Sequence, residues 1–152
     1  MLKKRILFFS ILLTMVLFFS LAGCSARTPI SADEFSKQAK DLGFTVTEQS
    51  ATNTAVVKYL QADDSKTQTQ LIFITFKTES DAQTAYTSVK ANVSQGTGAK
   101  TTTLDSSSYN KFTVVNGELN YTIIRMNDTL LYGKANSGHQ NQVDDFVKAA
   151  KY

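Results

Sequence analysis

The chain has 152 residues, with 16 Lys and Arg against 13 Asp and Glu, which gives a formal net charge of +3. It contains one cysteine, Cys24, and one histidine, His139, so an internal disulfide is excluded and zinc would find few ligands. Lys3, Lys4 and Arg5 stand together at the N-terminus, and the remaining 13 Lys and Arg balance the 13 acids. Net charge therefore gives no indication of a nucleic-acid-binding protein.

The N-terminus has the layout of an export signal. The basic residues are followed by an apolar stretch over residues 6–21, interrupted only by Ser10, Thr14 and Ser20. As a helix this stretch would span about 24 Å, which is short of the roughly 30 Å hydrocarbon core of a bilayer. The pattern predicts a cleaved signal peptide over residues 1–23 rather than a membrane span.

The signal ends in the tetrapeptide Leu21-Ala22-Gly23-Cys24. This sequence resembles the lipobox of bacterial lipoproteins. The resemblance implies that a diacylglyceryl transferase modifies the Cys24 thiol and that signal peptidase II, recognising Leu21, Ala22 and Gly23, cuts before Cys24. Two acyl chains on one residue make a stable anchor. We therefore expect the mature chain, residues 24–152, to be lipid-anchored on the extracytoplasmic face of the cell membrane.

A short polar tether over residues 24–30 leads into a single globular domain over residues 31–152. Ser31 and Glu34 form a capping box, and Ile30 with Phe35 occupy the positions of a hydrophobic staple, so a helix is predicted to begin here. Gly43 is predicted to end it in the left-handed conformation. The expected apolar stripe of this helix is Phe35, Ala39 and Leu42.

Three strands are predicted next, over residues 44–46, 55–60 and 71–76, because these segments are rich in branched and aromatic residues. The third is nearly continuous in apolarity, which is typical of a central strand covered on both faces. Residues 63–66 are predicted to form the turn between the second and third strands.

A second helix is predicted from Ser80, which forms a capping box with Gln83. Its apolar stripe is Ala82, Ala85, Tyr86, Val89 and Val93. Residues 95–98 are expected to close this helix. A threonine-rich strand to Leu104 and a connector over residues 106–108 follow.

Asn116-Gly117 predicts a hairpin, because both residues tolerate the positive φ of a type I′ turn. In that register Val115 opposes Glu118 and Val114 opposes Leu119. One face of the hairpin then carries Phe112, Val114, Leu119 and Tyr121.

A further turn at Asn127-Asp128 is predicted to lead into a last strand over residues 129–135. Ile124 and Leu131 then fall on the opposite, polar face. We expect another element, such as the first helix, to cover them in part.

The last helix is expected to carry Asp144 and Asp145 near its start and Lys148 and Lys151 near its end, as the helix dipole favours. Its apolar stripe is Val143, Phe146, Val147 and Ala150. The predicted order α-βββ-α-ββββ-α indicates an α+β fold with a single antiparallel sheet of six or seven strands. By analogy of element order, a TATA-binding-protein-like or a cystatin-like topology is possible.

Residues with potential chemistry are few. His139 is interpreted as an exposed loop residue, and Asp63 with Asp64 as a hydrated turn rather than a calcium loop. The Gly-Thr-Gly sequence over residues 96–98 lacks the lysine and the preceding strand of a phosphate loop. We therefore expect no catalytic residue, no metal ligand and no cofactor.

Tyr59, Tyr109, Tyr121 and Tyr132 lie on predicted strands. They could form a stacking or peptide-binding surface, but packing within the sheet and core is the favoured interpretation. The sequence does not identify a ligand-binding residue.

The favoured hypothesis is a non-catalytic binding or accessory module of the cell envelope, monomeric and attached to the membrane through Cys24. The alternatives are a small-ligand carrier with a pocket between sheet and helices, and a hydrolase that uses Asp or Glu. The chain also resembles small uncharacterised lipoproteins of low-GC Gram-positive bacteria, through its signal, its short tether and the opening at residues 31–35. That resemblance implies no activity.

Overall fold

The computed structural model describes residues 27–94 and 99–152. In these residues one seven-stranded antiparallel sheet carries three helices, which confirms the α+β class and the predicted element order. The helices are α1 (Ala32–Asp41), α2 (Glu79–Val93) and α3 (Gln140–Ala149). The strands are β1 (Thr45–Glu48), β2 (Val56–Asp64), β3 (Thr69–Phe76), β4 (Lys100–Asp105), β5 (Tyr109–Asn116), β6 (Leu119–Met126) and β7 (Thr129–Asn136). The signal peptide, the lipobox and the segment 95–98 expected to close α2 lie outside the described residues.

The sheet has the strand order β1-β2-β3-β7-β6-β5-β4, and every neighbouring pair is antiparallel. From β3 onward the chain has the β-α-β(4)-α order on which the TATA-binding-protein analogy rests. The last strand, β7, lies beside β3 at the centre of the sheet. Strand β4 forms an edge, and all six of its residues are exposed.

Helices α1 and α3 pack on one face of the sheet, mainly over β1, β2, β3 and β7. Phe35 of α1 is fully buried, stacks on Phe73 with ring centroids 5.2 Å apart and meets the edge of Phe146 at the same distance. Ile124 and Leu131 are buried in this cluster. The expectation that another element covers these two residues is confirmed.

Helix α2 packs on the other face, over β3 and β5 to β7. The apolar stripe predicted for it is confirmed, with Ala82 and Tyr86 buried and the other three residues packed against the core. Strand β3 contributes Phe73 to one core and Phe76 to the other. It is therefore the central strand, covered on both faces, that its sequence predicts.

Helix α1 begins as predicted, because the Ser31 hydroxyl accepts from the Glu34 N–H and the Glu34 carboxylate accepts from the Ser31 N–H. Gly43 follows the helix with a φ of +90°, as expected. Leu42 was predicted to belong to the apolar stripe, and this is wrong. It is the C-cap residue and lies exposed, since the chain already turns away from the core there.

The start of α2 differs from the prediction. The N-cap is Thr78, whose hydroxyl accepts from the Asp81 N–H, and not Ser80. The capping box of Ser80 with Gln83 is therefore wrong. Thr78 competes successfully because its hydroxyl also donates to the Asp81 carboxylate at 2.7 Å.

The β5–β6 hairpin has a different turn from the predicted type I′. Asn116 pairs with Leu119, and Val114 faces Tyr121, so the loop consists of Gly117 and Glu118. Among these residues only Gly117 has a positive φ, of +62°, as in a turn with glycine at its first central position. Relative to the prediction, the partner of each β5 residue lies two positions later in β6. A shift of two residues keeps every side chain on the same face, so the predicted faces are retained.

Helix α3 begins at Gln140, earlier than its charge pattern suggests. Asp144 and Asp145 therefore lie outside the first turn, and their predicted place near the helix start is wrong. The predicted apolar stripe is confirmed, because its four members are buried against the sheet: Val143, Phe146, Val147 and Ala150.

Candidate functional site

The residues singled out for metal or proton chemistry are not arranged as a metal site in the part of the chain that the structure describes. His139 ends a 3₁₀ turn (Ser137–His139) and is exposed to solvent. Asp63 and Asp64 belong to the end of β2, and the turn that follows spans residues 65–68 rather than 63–66. Within residues 27–94 and 99–152, no group of three His, Cys, Asp or Glu side chains is placed to hold a metal ion.

Asp64 is held by groups of its own chain. Its carboxylate accepts from the Gln142 amide at 3.0 Å, from the Lys66 N–H at 2.9 Å and from the Thr67 hydroxyl at 2.9 Å. These hydrogen bonds, that of Gln142 foremost, lower the pKa of Asp64 to about 2. Asp64 is therefore ionised at neutral pH, where it cannot serve as a general acid.

The four strand tyrosines do not form one surface. Tyr121 and Tyr132 lie on the α2 face with ring centroids 6.1 Å apart and pack against the α2 core. Tyr109 packs instead against the core on the other face, under the Arg27 guanidinium. This arrangement agrees with the packing interpretation.

A buried arginine, which the sequence analysis did not identify, connects two turns at one end of the sheet. Arg125 is 1% exposed, and its Nε donates to the Asn110 side-chain oxygen at 2.6 Å. Its terminal nitrogens donate to the carbonyls of Ser107, at 2.7 Å, and of Asn127, at 3.1 Å. Arg125 stands in β6 between Ile124 and Met126, and the last five residues of this strand are all buried. An arginine inside such an apolar run is the signal by which the sequence could have indicated it.

The positive charge of Arg125 is balanced indirectly, through Asn110, by a carboxylate. Among the described residues no carboxylate lies within ion-pair distance of its guanidinium, but the Asn110 amide donates to the Asp105 carboxylate at 2.9 Å. Burial and the nearby Asp105 carboxylate raise the pKa of Tyr86, in α2, to about 12. A row of interacting side chains therefore runs from Tyr86 through Asp105 and Asn110 to Arg125. It holds the ends of these strands in place.

Beside these turns lies a cavity of about 490 Å³, which we call the anchor-side cavity. Arg27 and Thr28 border it on one side, and its other walls are Leu104, Ser108, Tyr109, Met126 and Asn127. The Arg27 guanidinium stands 5.2 Å from the centre of the Tyr109 ring. The cavity thus combines a cation, an aromatic ring and aliphatic side chains, and it lies beside Arg27, the first residue that the structure describes.

A second cavity, of about 420 Å³, lies between α2 and the edge of the sheet. Its walls include Gln83, Tyr86, Lys90 and Asp105. The Lys90 ammonium stands 5.0 Å from the centre of the Phe112 ring. This cavity is the sheet-helix pocket that a carrier would use, and its walls combine polar groups with aliphatic and aromatic surface.

No family model matches the chain, and no curated protein matches it. Among solved structures, the chain is similar to a GTP binding regulator from Thermotoga maritima, with a TM-score of 0.54 and 14% sequence identity. The likeness covers 80% of this chain and 87% of that one. At this identity it shows the fold alone. In the part of the chain that the structure describes, no helix is long and apolar enough to cross a membrane.

Proposed function

We propose that this protein is a lipoprotein whose α+β domain is held at the extracytoplasmic face of the membrane by a diacylglyceryl group on Cys24. The observation that carries the proposal is the sequence Leu21-Ala22-Gly23-Cys24 at the end of a basic and then apolar N-terminus. The small residues before the cysteine suit a narrow peptidase site, and the thiol is the acceptor for the lipid.

The start of the domain supports this arrangement. Ile30 packs against the core that contains Phe35, and Arg27 stacks on Tyr109. Arg27, three residues after Cys24 in the sequence, is therefore already in contact with the domain. A domain attached in this way would be held against the membrane rather than on a long stalk.

Within this proposal the domain acts as a binding or accessory module of the envelope and is not a catalyst. Support comes from the way its polar groups are used. Asp64 is bonded to Gln142 and Thr67, and Asp105 is bonded to Asn110. These carboxylates hold the turns and strand ends in place, which is a structural role.

Replacement of Cys24 tests the anchor. In Cys24→Ala the chain should accumulate as a precursor that retains residues 1–23 and incorporates no fatty acid, because the thiol is both the lipid acceptor and the landmark for cleavage. The measurement is metabolic labelling with an alkyne fatty acid, together with the apparent mass on immunoblots. The control Ser25→Ala should be processed and labelled normally. A fatty-acid-labelled mature protein from Cys24→Ala would contradict the proposal.

A carrier of a small polar ligand is the second candidate function. The observation that favours it is the cavity beside α2, whose volume is within the range typical of small-molecule sites and whose walls offer Lys90 and Asp105. If this is correct, a small molecule should be extracted with the purified protein, and Thr87→Trp, which fills the cavity, should abolish its recovery. The control Thr84→Trp lies on the same helix outside the cavity and should leave recovery unchanged.

A further inference from the structure

The described chain enters the domain at one end of the sheet. That a lipid on Cys24 lies near this end is an inference that rests on the proposed function. Arg27 is the first described residue and borders the anchor-side cavity. Three peptide links separate Cys24 from Arg27, so their Cα atoms are at most about 11 Å apart. A diacylglyceryl group on Cys24 therefore keeps this end of the sheet within a short distance of the lipid headgroups.

The surface at that end has the composition of a membrane interface. Leu104 is 58% exposed although it is a large aliphatic residue, and it forms a wall of the cavity. Tyr109 lies beside it, half-buried, and aromatic rings are favoured at the level of the headgroups. The Arg27 guanidinium, which stacks on this ring, is suited to a phosphate because it can donate two parallel hydrogen bonds.

The same end is rigid before any lipid arrives. The Asn127 N–H donates to the Ser108 carbonyl at 2.8 Å, and Arg125 bonds the carbonyls of Ser107 and Asn127 from behind. The two turns that wall the cavity are therefore held to one another. A preformed surface loses little conformational entropy on binding.

Arg27 interacts with Tyr109, but among the described residues no carboxylate lies within ion-pair distance of its guanidinium. The ion pairs among the described residues are Lys37 with Asp41 and Lys58 with Glu48, and none of these four residues lines the cavity. Asp105 is engaged by Asn110 on the opposite face. Asp128, in the adjacent turn, lies near Tyr152. Burial raises the pKa of Tyr152, and the negative charge of Asp128 raises it further.

We propose that the anchor-side cavity binds the headgroup of an anionic phospholipid of the membrane in which the protein is anchored. The Arg27 guanidinium contacts the lipid phosphate, and Leu104 and Tyr109 enter the interfacial layer. The domain then stands with this end of the sheet on the bilayer and the hairpin tip at Gly117-Glu118 directed away from it. From the position of Leu104 to Glu118 the distance along the strands is about 23 Å.

The orientation can be measured on the full chain, processed by its host and reconstituted into vesicles of phosphatidylglycerol and phosphatidylcholine in equal amounts. Leu104→Cys, Val115→Cys and Glu118→Cys each add one thiol for a fluorophore sensitive to polarity. A nitroxide on the lipid headgroup should quench the label at Leu104 several-fold more strongly than at Val115, and least at Glu118. Val115 is the matched control, because it is also an exposed aliphatic residue on the same sheet face.

Labelling of the parent chain distinguishes a failure of the proposed function from a failure of the proposed orientation. If its only cysteine reacts with the fluorophore, Cys24 carries no lipid, and the proposed function fails. If the parent does not react but quenching at Leu104 equals or falls below that at Glu118, the anchor holds and the proposed orientation is overturned. Circular dichroism of each variant verifies that it is folded, and an unfolded Leu104→Cys is replaced by Ser108→Cys on the same cavity wall.

Lipid recognition by Arg27 has its own measurement. In Arg27→Gln the fluorescence shift at Leu104 should become the same in vesicles of pure phosphatidylcholine as in those containing phosphatidylglycerol. In Lys37→Gln, an exposed charge on α1, the preference for phosphatidylglycerol should persist. An unchanged preference in Arg27→Gln would overturn the assignment of this residue to the lipid phosphate.

Discussion

Single residues fix the spacing between the sheet and its helices, and Gly133 of β7 shows this most clearly. A Cβ atom at this position would collide with the side chain of Val143, which is buried in α3. Valine is branched at Cβ and has one strongly preferred rotamer in a helix, so it cannot swing away cheaply. The absence of a side chain at Gly133 therefore lets α3 lie close to the centre of the sheet.

Gly133→Ala should consequently destabilise the domain by about 1–3 kcal/mol through overpacking. The measurement is a urea or thermal unfolding curve followed by circular dichroism. The matched control is Gly138→Ala, because nothing lies within 4 Å of a Cβ atom added there. Equal stability of the Gly133 variant and the parent would show that α3 does not approach β7 as described.

Arg125 is the second residue with an effect beyond its own position. Arg125→Met fills a similar volume but leaves the Ser107 and Asn127 carbonyls and the Asn110 side chain without their donor. We expect a loss of about 3 kcal/mol in the free energy of unfolding, since buried polar groups are costly to leave unpaired.

Arg125→Lys should recover little of that loss, because one ammonium cannot reproduce the planar arrangement of donors. Both variants are measured by equilibrium unfolding in urea. A fully stable Arg125→Met would mean that the two turns are held together by their backbone bond alone.

At the scale of elements, the sequence allows two N-cap residues for α2, Thr78 and Ser80, and mutation can distinguish them. Thr78→Ala should cost about 1 kcal/mol, because it removes the oxygen that accepts from the Asp81 N–H. Ser80→Ala lies inside the first turn and should change stability by a few tenths of that amount. Thermal melts of the two variants decide the matter, and the reverse ranking would restore the cap at Ser80.

The hydrogen bond between Asp64, at the end of β2, and Gln142 of α3 should affect how the stability of the domain changes at acid pH. Asp64 has a folded-state pKa of about 2, below the ordinary value of 3.8. Because the pKa is depressed, the stabilisation is complete above about pH 4 and is lost as the pH falls through about 2.

In Gln142→Leu, which removes the foremost cause of this shift, the pKa of Asp64 should move back towards its ordinary value. The readout is an NMR titration of the Asp64 carboxyl. Asn141→Leu, the adjacent exposed amide, should leave the titration unchanged. The same low value in both variants would assign the shift to Lys66 and Thr67 alone.

Much of the element pattern was readable from the sequence because local chemistry decides it. The reciprocal bonds of Ser31 and Glu34, the positive φ of Gly43 and the stripe of α2 depend on residues within a few positions of one another. Two of the errors arose where two local solutions compete. Thr78 and Ser80 are both good caps, and Asn116-Gly117 and Gly117-Glu118 are both possible two-residue turns.

The candidate site was not readable in the same way. The anchor-side cavity combines Arg27, Leu104, Tyr109 and Asn127, which are distant in sequence and share no motif. Arg125 is buried because Asn110 and two carbonyls meet it in space. The β5–β6 hairpin opposes Asn110 and Arg125, but the N-terminal segment with Arg27 and the edge strand with Leu104 reach the same place only through the folded sheet.

For the whole molecule, the two faces of the sheet are covered unequally along its width. Helices α1 and α3 lie over β1 to β3 and β7, whereas α2 lies over β3 and β5 to β7 on the other face. Strand β4 at the edge lies beyond the strands that the helices mainly cover, and all six of its residues are exposed. The end of this uncovered edge, at Leu104, is also where the N-terminal segment joins the domain.

The central claim is that this domain is attached to a membrane through Cys24, and the intact mass of the mature protein tests it most directly. The protein is extracted with detergent from host membranes and measured by mass spectrometry, with fragmentation of the N-terminal peptide. We predict a chain that begins at Cys24 and carries a diacylglyceryl group on the sulfur. A chain that begins at Met1, or one whose Cys24 bears a free thiol, would contradict it.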